Sequence, residues 1–270
     1  MRQPETLILL GTGNATVTRC YNTCFAIQTG GEYFLIDTGG GNGILAQLEK
    51  ARIPLEAIHE IFISHEHTDH LLGLVWLIRM IATKMKKGQY EGDLQIYCHE
   101  ELEKTIRTIV ELTVQKKFCK MIGERIFFRT VEDGKTRKIL DYNVTFFDIR
   151  STKAKQFGFT LRLQNGKKFT FLGDEPYQEH EEVYAKDADW LLHEAFCLYR
   201  DRDIYSPYEK HHATVKEACE NGEALGAKNL ILYHTEDKNL AERGELYTRE
   251  GRQYYHGNLL VPEDLERIEL

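Results

Sequence analysis

Residues 64–70 read Ser64-His65-Glu66-His67-Thr68-Asp69-His70 and directly follow the apolar run Ile58 to Ser64. That run predicts a strand, and apolar residues at helical spacing follow the cluster from Leu71 to Lys87. Three imidazoles and two carboxylates therefore meet at a strand-to-helix corner. Grouping them out of water costs free energy unless a cation binds them, and nitrogen with carboxylate oxygen suits zinc, with manganese or iron as alternatives. The stretch predicts a metal site.

Composition limits the kind of protein that carries this site. The chain has 270 residues, 42% of them hydrophobic and 29% charged, and a net charge of -7. Such a chain is long enough for a large core and is not disordered. The acidic balance argues against a dedicated nucleic-acid binder, so any RNA contact would rest on a local basic patch. Six scattered cysteines are too few for a disulfide scaffold.

The expected cellular compartment follows from the absence of secretory and membrane-spanning patterns in the sequence. No basic-then-apolar secretory pattern opens the sequence, and its longest apolar stretches are far shorter than a membrane span. We therefore expect a cytoplasmic protein that has no membrane partner.

The hydrophobic periodicity predicts a set of strands and helices in each half of the chain. These two α/β halves must pack sheet to sheet to bury the apolar faces of both sheets. The predicted strands are Thr6 to Leu10, Cys24 to Gln28, Tyr33 to Asp37, Ile58 to Ser64, Leu94 to Cys98, Arg125 to Thr130, Val144 to Ile149, Gly158 to Leu163, Lys168 to Leu172, Trp190 to Leu192, Asn229 to Tyr233 and Leu259 to Val261. The predicted helices include Leu71 to Lys87, Glu100 to Lys120 and His212 to Ala224.

The histidine cluster resembles the HxHxDH signature of the metallo-β-lactamase superfamily, and further motifs make the chain similar to its ribonuclease Z group. Those motifs are Leu10-Gly11-Thr12-Gly13 with Arg19-Cys20-Tyr21-Asn22-Thr23, Phe171-Leu172-Gly173-Asp174, His193-Glu194-Ala195-Phe196, and His212-Ala213-Thr214 ahead of Leu230-Ile231-Leu232-Tyr233-His234. The resemblance implies an α/β fold, a four-layer αββα sandwich of two mixed β-sheets flanked by helices. Residues 1–270 would form a single domain.

The resemblance also implies the ligands of a dinuclear centre. They are His65, His67, Asp69, His70, Asp174 and His234. Two zinc ions are expected and one is the alternative, with manganese or iron as other metals. Structural roles remain open for single residues, because Asp174 could cap a helix and His234 could end a strand in solvent.

One position departs from the family pattern. A further histidine ligand is expected after Phe146-Phe147-Asp148-Ile149, where this chain has Arg150. Arginine stays protonated and offers no lone pair, so it cannot replace an imidazole. Beside the site it would repel a metal but could hold a substrate phosphate. Water, weak binding or a single-ion site could follow from the replacement.

The implied reaction is hydrolysis by a metal-bound hydroxide, because two metals lower the pKa of a bridging water towards neutrality. Asp69 would orient the hydroxide, and His212, positioned by Glu194, would protonate or stabilise the leaving oxygen. A solvent-facing structural role for His212 also stays open. A leaving alkoxide needs a proton donor more than a thiolate does, which favours phosphodiester over thioester cleavage.

The expected substrate is a phosphodiester, either a small molecule or RNA. Transfer RNA processing is one reading, yet residues 151–173 leave room for a hairpin and not for the tRNA-gripping arm of the tRNA-processing members. One alternative function is hydrolysis of a lactone, thioester or similar ester. Another is a metal-poor, non-catalytic binding protein, in which Arg150 stands in place of a ligand histidine. The surface permits a homodimer.

Overall fold

The computed structural model describes residues 4–270, and these divide into two compact units. The first unit contains residues 4–11, 21–132 and 265–270 of the described chain. The second contains residues 12–20 and 133–264. Both ends of the described chain therefore belong to the first unit.

Fourteen strands and eight α-helices, numbered along the chain, make up the two units in the described part of the sequence. The strands are β1 (Thr6–Gly11), β2 (Cys24–Thr29), β3 (Glu32–Ile36), β4 (Ile58–Phe62), β5 (Leu94–Cys98), β6 (Ile126–Thr130), β7 (Thr136–Ile139), β8 (Tyr142–Asp148), β9 (Phe157–Arg162), β10 (Lys168–Phe171), β11 (Trp190–Glu194), β12 (Asn229–Tyr233), β13 (Asn258–Leu260) and β14 (Arg267–Glu269). The helices are α1 (Gly43–Lys50), α2 (Thr68–Lys86), α3 (Glu100–Thr113), α4 (Lys116–Cys119), α5 (Glu182–Ala185), α6 (Arg202–Tyr205), α7 (Val215–Ala224) and α8 (Arg243–Gly251).

The first unit is built on a seven-stranded mixed sheet in the order β14-β1-β2-β3-β4-β5-β6. Its β14, β1, β2 and β3 pair antiparallel, and β3 to β6 pair parallel. Parallel neighbours need crossover connections, which α1, α2 and the α3–α4 pair supply. The carboxyl ends of β3 and β4 consequently lie at one edge of the sheet. Asp37 follows β3 there, and the His65–His70 cluster follows β4.

The second unit repeats this logic in the order β13-β12-β11-β10-β9-β8-β7. Strands β10 to β13 are parallel, with α7 and α8 as crossovers, and β7 to β10 are antiparallel. The carboxyl ends of β10, β11 and β12 share an edge, which is where such sheets place ligand-binding residues. Asp174, Glu194 and His234 come from these three strand ends. The predicted fold class, two mixed sheets flanked by helices, is confirmed.

The main differences from the sequence prediction concern two helices and the edge strands. The helix predicted from Glu100 to Lys120 breaks after Thr113, because extended backbone at Val114 and Gln115 turns the chain into α4. β-branched side chains at 113 and 114 weaken the helix, and the turn buries Val114 and Phe118. The predicted helix at His212 begins only at Val215, and the edge strands β7 and β14 were not predicted.

No helix in residues 4–270 combines the length and the hydropathy needed to cross a membrane. The six cysteines are free thiols, and four of them are buried.

Candidate metal centre

The histidine cluster in the first unit is organised by a carboxylate from the neighbouring strand. Asp37 accepts the Ser64 N–H at 2.8 Å, the Ser64 hydroxyl at 2.7 Å and Nδ1 of His70 at 2.8 Å. Asp37 is 1% exposed, and its φ of 54° lies in the left-handed region, where a non-glycine residue is strained. The surrounding structure therefore holds this carboxylate behind the cluster in spite of the local backbone strain.

His65 and His67 place two imidazole nitrogens next to each other. The Ser64 hydroxyl donates to Asp37, so it accepts from Nδ1 of His65, at 2.9 Å. This fixes the tautomer of His65 and leaves the lone pair on Nε2, which lies 2.9 Å from Nδ1 of His67. The two nitrogens are close enough for one metal ion to bind both after a small adjustment, since each metal–nitrogen bond is about 2.0–2.1 Å.

Asp69 and His70 form a second pair of donors in the same unit. Because Nδ1 of His70 donates to Asp37, its lone pair is on Nε2, which lies 3.2 Å from Oδ2 of Asp69. A carboxylate that holds a histidine by its far nitrogen is the usual support for a metal ligand, since it fixes the ring and raises its basicity. The chain thus supplies His70 with the support that a ligand needs.

In the second unit, Asp174 lies at the end of β10 on a tightly packed turn. Its N–H donates to Oε1 of Gln156 at 2.5 Å, and the Tyr233 hydroxyl donates to the Gly173 carbonyl. Gly173 has a φ of 78°, and a methyl group there would lie 2.2 Å from Cδ1 of Ile149. Only glycine fits both the space and the conformation, so the turn holds Asp174 rigidly.

His212 and His234 lie on either side of this aspartate. Nδ1 of His234 is 2.8 Å from Oδ1 of Asp174, and Nδ1 of His212 is 3.7 Å from the same oxygen. The three residues are buried, and each offers a donor atom within 4.8 Å of the others. His234 also adopts a left-handed φ, 59°. The second unit therefore brings imidazole and carboxylate groups together at the carboxyl edge of its sheet.

Glu194 fixes the surroundings of His212. Its Oε1 accepts the Ala213 N–H, and its Oε2 lies 3.6 Å from Nδ1 of His212. Phe196 stacks on the imidazole with the ring centres 4.7 Å apart and an angle of 11° between the planes. Within residues 4–270 neither Oε2 of Glu194 nor Nδ1 of His212 has a hydrogen-bond partner, although both are buried. Buried polar atoms without a hydrogen-bond partner usually bind a proton, a water molecule, an ion or a ligand.

The donor set fits a divalent metal. Neutral imidazoles with fixed tautomers and nearby carboxylates are the ligands that zinc prefers, and manganese and iron accept the same donors. Backbone strain at Asp37 and His234 marks the same two sheet edges, as expected where a structure is organised for binding. A packing role alone would not explain these arrangements.

The sequence comparisons agree with this chemistry. Residues 5–253 match the model of one protein family, described as "Anti-Pycsar protein Apyc1". The chain belongs to the Apyc1 family. The match covers nearly the whole sequence and includes every metal-ligating residue predicted above.

Relatives of this Apyc1 family member carry the name of the predicted group. Ribonuclease Z of Phocaeicola vulgatus is 32% identical, and the match covers 96% of this chain and 95% of that one. Among solved structures, YhfI from Bacillus subtilis, a metallo-β-lactamase fold protein, has a TM-score of 0.80 at 18% identity, covering 99% and 100% of the two chains. Human tRNase Z, short form, has a TM-score of 0.74 at 22% identity, covering 97% and 98%.

These matches confirm the ribonuclease Z-like group of the metallo-β-lactamase superfamily. The Apyc1 family member is a metal-dependent hydrolase of this type, and its cofactor is a divalent metal. The Apyc1 family is a more specific assignment than the sequence motifs allowed. The HxHxDH stretch and the later histidines are common to the wider ribonuclease Z-like group and do not single out one family within it.

Arg150, the residue at the departure from the family pattern, is exposed and has a left-handed φ of 59°. Burial raises the pKa of the Tyr184 hydroxyl, and the positive charge of Arg150 offsets part of that rise. In the loop that follows Arg150, the Thr152 hydroxyl lies 3.2 Å from Nδ1 of His211. Lys153 adds a hydrogen bond from Nζ to the Lys210 carbonyl at 2.8 Å.

Sequence reasoning missed Asp37, Ser64 as a hydrogen-bonding residue, and Gln156. Asp37 could have been found, because it ends a strand that should adjoin the strand before His65 and precedes three glycines. Gln156 gave no signal, since its contact with Asp174 depends on how β9 and β10 pair.

Proposed function

We propose that this hydrolase is a phosphodiesterase whose metal centre is held by His65, His67, Asp69, His70, Asp174 and His234. The first unit supplies four of these residues and the second supplies two. Zinc is the proposed metal and two ions the proposed number. The support is the donor chemistry, the fixed tautomers of His65 and His70, and the burial of five of the six side chains.

A divalent metal bound to these residues would supply a Lewis acid and lower the pKa of water towards neutrality. The protein contributes orientation. Asp69, next to His70, would accept a proton from the attacking water and hold it in line. Asp37 keeps the histidine cluster in place, and the turn at Gly173 keeps Asp174 in place.

The observation that carries the phosphodiesterase proposal is the position of His212. Its Nδ1 lies 3.6 Å from Oε2 of Glu194 and 3.7 Å from Oδ1 of Asp174, and its ring is clamped by Phe196. The carboxylate beside Nδ1 and the stacked ring hold the imidazole in one orientation, in which we propose that it delivers a proton to the leaving oxygen. An alkoxide leaving group needs that proton, whereas a thiolate does not. Phosphodiester hydrolysis therefore suits the site better than thioester hydrolysis.

The substrate is proposed to be compact. Residues 150–156 form a short loop, and β9 and β10 are joined by a tight turn in which Leu163 and Lys167 pair. This region has no room for a protruding arm that grips tRNA. The relatives' name supports a phosphodiester or RNA substrate, and a small phosphodiester or an RNA end meets both observations.

A second candidate comes from the family name, which records an action against Pycsar for the protein it describes. We infer the same action for this chain, carried out by the same centre. The test compares the wild type with a His212→Asn variant in cells with an active Pycsar. Suppression by the wild type alone would support it, and suppression by neither protein would refute it.

Three other expectations are proposals. One domain over residues 1–270 is supported by a family match that spans both units. A single cooperative unfolding transition would support it.

A homodimer and a cytoplasmic location stay predictions. Light scattering would test the first, and cell fractionation the second.

The phosphodiesterase proposal is tested with the zinc-loaded protein on bis(p-nitrophenyl) phosphate, a thioester and a lactone. We expect turnover of the phosphodiester, loss of it on chelation and recovery on adding zinc. Asp69→Asn should remove the activity, and the exposed control Asp141→Asn should keep it. Turnover of the lactone or thioester alone would replace the proposal with the ester-hydrolase alternative. Absence of turnover together with absence of bound metal would favour the non-catalytic binding protein.

A further inference from the structure

Glu236 is a buried carboxylate two residues beyond His234, and it is not among the proposed metal ligands. It is 3% exposed, so hydrogen bonds must offset the cost of burying its charge. Its Oε2 accepts the Tyr205 hydroxyl at 3.0 Å and the backbone N–H groups of Lys238 and Asn239. Its Oε1 accepts the side-chain amide of Asn239 at 2.9 Å. One side chain therefore joins the segment after β12 to a residue 31 positions earlier in the chain.

The main chain of Glu236 fixes Phe196, the residue whose ring stacks on His212. The Glu236 N–H donates to the Phe196 carbonyl at 2.9 Å, and the Phe196 N–H donates to the Ala213 carbonyl at 2.9 Å. Both backbone groups of Phe196 are thus bonded, one close to His234 in the chain and the other next to His212. Its ring centre lies 4.7 Å from that of His212 and 6.3 Å from that of His234. The position of Phe196 therefore relates the two histidines to each other.

Tyr205 contacts the ring of Phe196 edge-on, with the ring centres 6.5 Å apart and an angle of 78° between the planes. It is the last residue of α6, and Ser206 after it has a left-handed φ of 48°. A non-glycine residue in that conformation is strained, so other contacts must hold the segment. The hydrogen bond from the Tyr205 hydroxyl to Glu236 is one of them. Burial and the negative charge of Glu236 raise the pKa of this hydroxyl, so it keeps its proton and remains a donor.

Capping of the local turn does not account for all the hydrogen bonds of Glu236. A carboxylate at this position would cap the turn through the N–H groups of Lys238 and Asn239 alone. The third donor to the same oxygen is Tyr205, which has no part in that turn. Because Tyr205 also contacts Phe196, this third hydrogen bond has a consequence for the candidate site.

We propose that Glu236 and Tyr205 are positioning residues for His212. The hydrogen bond between them holds Tyr205 against Phe196. Phe196 in turn holds the imidazole in the orientation in which its Nδ1 lies 3.6 Å from Oε2 of Glu194. Neither positioning residue touches the reacting atoms. The inference rests on the proposed function, because it concerns the orientation of the proposed proton donor.

Nuclear magnetic resonance of the zinc-loaded protein tests the positioning without any hydrolysis. A stacked aromatic ring shifts the resonances of the protons that face it, so the imidazole protons of His212 report the position of Phe196. In Tyr205→Phe, which lacks only the hydroxyl, these signals should move or broaden. They should stay in place in Tyr255→Phe, a matched control that loses a hydroxyl bonded to the Ala227 carbonyl at 2.8 Å. Unchanged His212 signals in Tyr205→Phe would overturn the proposal.

Substitution of Glu236 separates hydrogen bonding from charge. Glu236→Gln keeps an oxygen that can accept from Tyr205 and from the two backbone N–H groups, whereas Glu236→Ala keeps none. We therefore expect the His212 signals of Glu236→Gln to match those of the wild type, and those of Glu236→Ala to move as in Tyr205→Phe. If Glu236→Gln moves the signals as far as Glu236→Ala does, the negative charge acts on the imidazole and the proposal fails.

Steady-state kinetics on two substrates give a second test. Tyr205→Phe should lower kcat for a dinucleotide by about tenfold and keep its KM within about twofold, because an imidazole that is no longer held in one orientation is less often placed to donate. For a p-nitrophenyl ester, kcat should change by less than about twofold, and Tyr255→Phe should keep both rates. Equal losses on both substrates would show a general structural defect and overturn the proposal. If the wild type cleaves neither substrate, the proposed function fails, and the imidazole spectra alone decide the positioning role.

Discussion

Oδ2 of Asp37 lies 2.8 Å from Nδ1 of His70, and it also accepts the Ser64 hydroxyl at 2.7 Å. One carboxylate thus sets the tautomer of His70 directly and that of His65 through Ser64. Both histidines need their Nε2 lone pairs for a metal. The arrangement of the first unit's proposed ligands therefore depends on a residue that is not among them.

Asp37→Asn should weaken metal binding by about 10- to 100-fold, which is the usual effect of losing a carboxylate behind a histidine ligand. The amide is neutral and offers one acceptor atom to three donors. Competition with a chromophoric chelator measures the affinity. Asp141→Asn, on an exposed turn, serves as the control. An unchanged affinity in Asp37→Asn would mean that the carboxylate serves folding alone.

His212→Asn should slow substrates in proportion to the basicity of their leaving group. For a dinucleotide, whose leaving group is an alkoxide, kcat should fall by about 10²- to 10⁴-fold, the usual value of a positioned proton donor. For a p-nitrophenyl ester, whose leaving group is stable without a proton, it should fall by less than about tenfold. Glu194→Gln should show the same selectivity in weaker form. Equal losses on both substrates would assign His212 a role in binding instead.

Gly173→Ala should destabilise the second unit and disturb Asp174. The added carbon would lie 2.2 Å from Cδ1 of Ile149 and 2.8 Å from Oε1 of Gln156, at a φ of 78° that alanine rarely adopts. We expect the free energy of unfolding to fall by about 3 kcal/mol, from overpacking and strain together. Urea denaturation measures it. Gly31→Ala, where a new methyl group meets nothing within 4 Å, should change it by less than about 0.5 kcal/mol. Equal stability of the two variants would contradict the packing argument.

Glu181 should make the protein less stable as the pH rises. Burial raises its pKa to about 9, and the negative charge of Glu175 adds to the rise. Between the ordinary pKa of 4.5 and about 9 the folded state keeps a proton that the unfolded state has lost. Stability contributed by the neutral acid is complete below that window and falls within it, by up to about 1.4 kcal/mol per pH unit.

Glu181→Gln should therefore stabilise the protein more at pH 8 than at pH 5. Urea denaturation at both pH values measures the difference. Glu182→Gln is the matched control, since Glu182 is exposed and pairs with Lys186 at 2.9 Å. If Glu181→Gln and Glu182→Gln shift the stability equally at both pH values, the buried carboxyl does not titrate as expected.

The sequence was sufficient for most of the fold and to propose a donor set, but not for the residues that organise the candidate site. Strands such as Leu94–Cys98 and Asn229–Tyr233 were predicted with correct boundaries, because buried strands read as apolar runs. The break at Val114 was missed, because tertiary burial of Val114 and Phe118 outweighs a continuous helical pattern. Asp37 acts on a loop 27 residues away, and a contact of that kind depends on strand pairing.

Arg150, which stands where the family pattern has a ligand histidine, also shows that the sequence does not reveal the direction of a side chain. Alignment along the strand places it where a ligand histidine is expected, but the side chain is exposed and its charge acts on Tyr184. We therefore expect Arg150→His to leave the metal content unchanged, at about two ions per chain by mass spectrometry of protein purified without chelators or a histidine tag. Arg150→Ala is the matched control for loss of the positive charge.

The two variants separate charge from coordination. If Arg150→His gains a metal ion and Arg150→Ala does not, an imidazole at this position completes the site, and the native arginine leaves it one ligand short. If both gain an ion, the guanidinium repels the metal at long range. Unchanged stoichiometry in both means that the native ligands, with water, already hold the full complement, which is the outcome that the exposed position of Arg150 predicts.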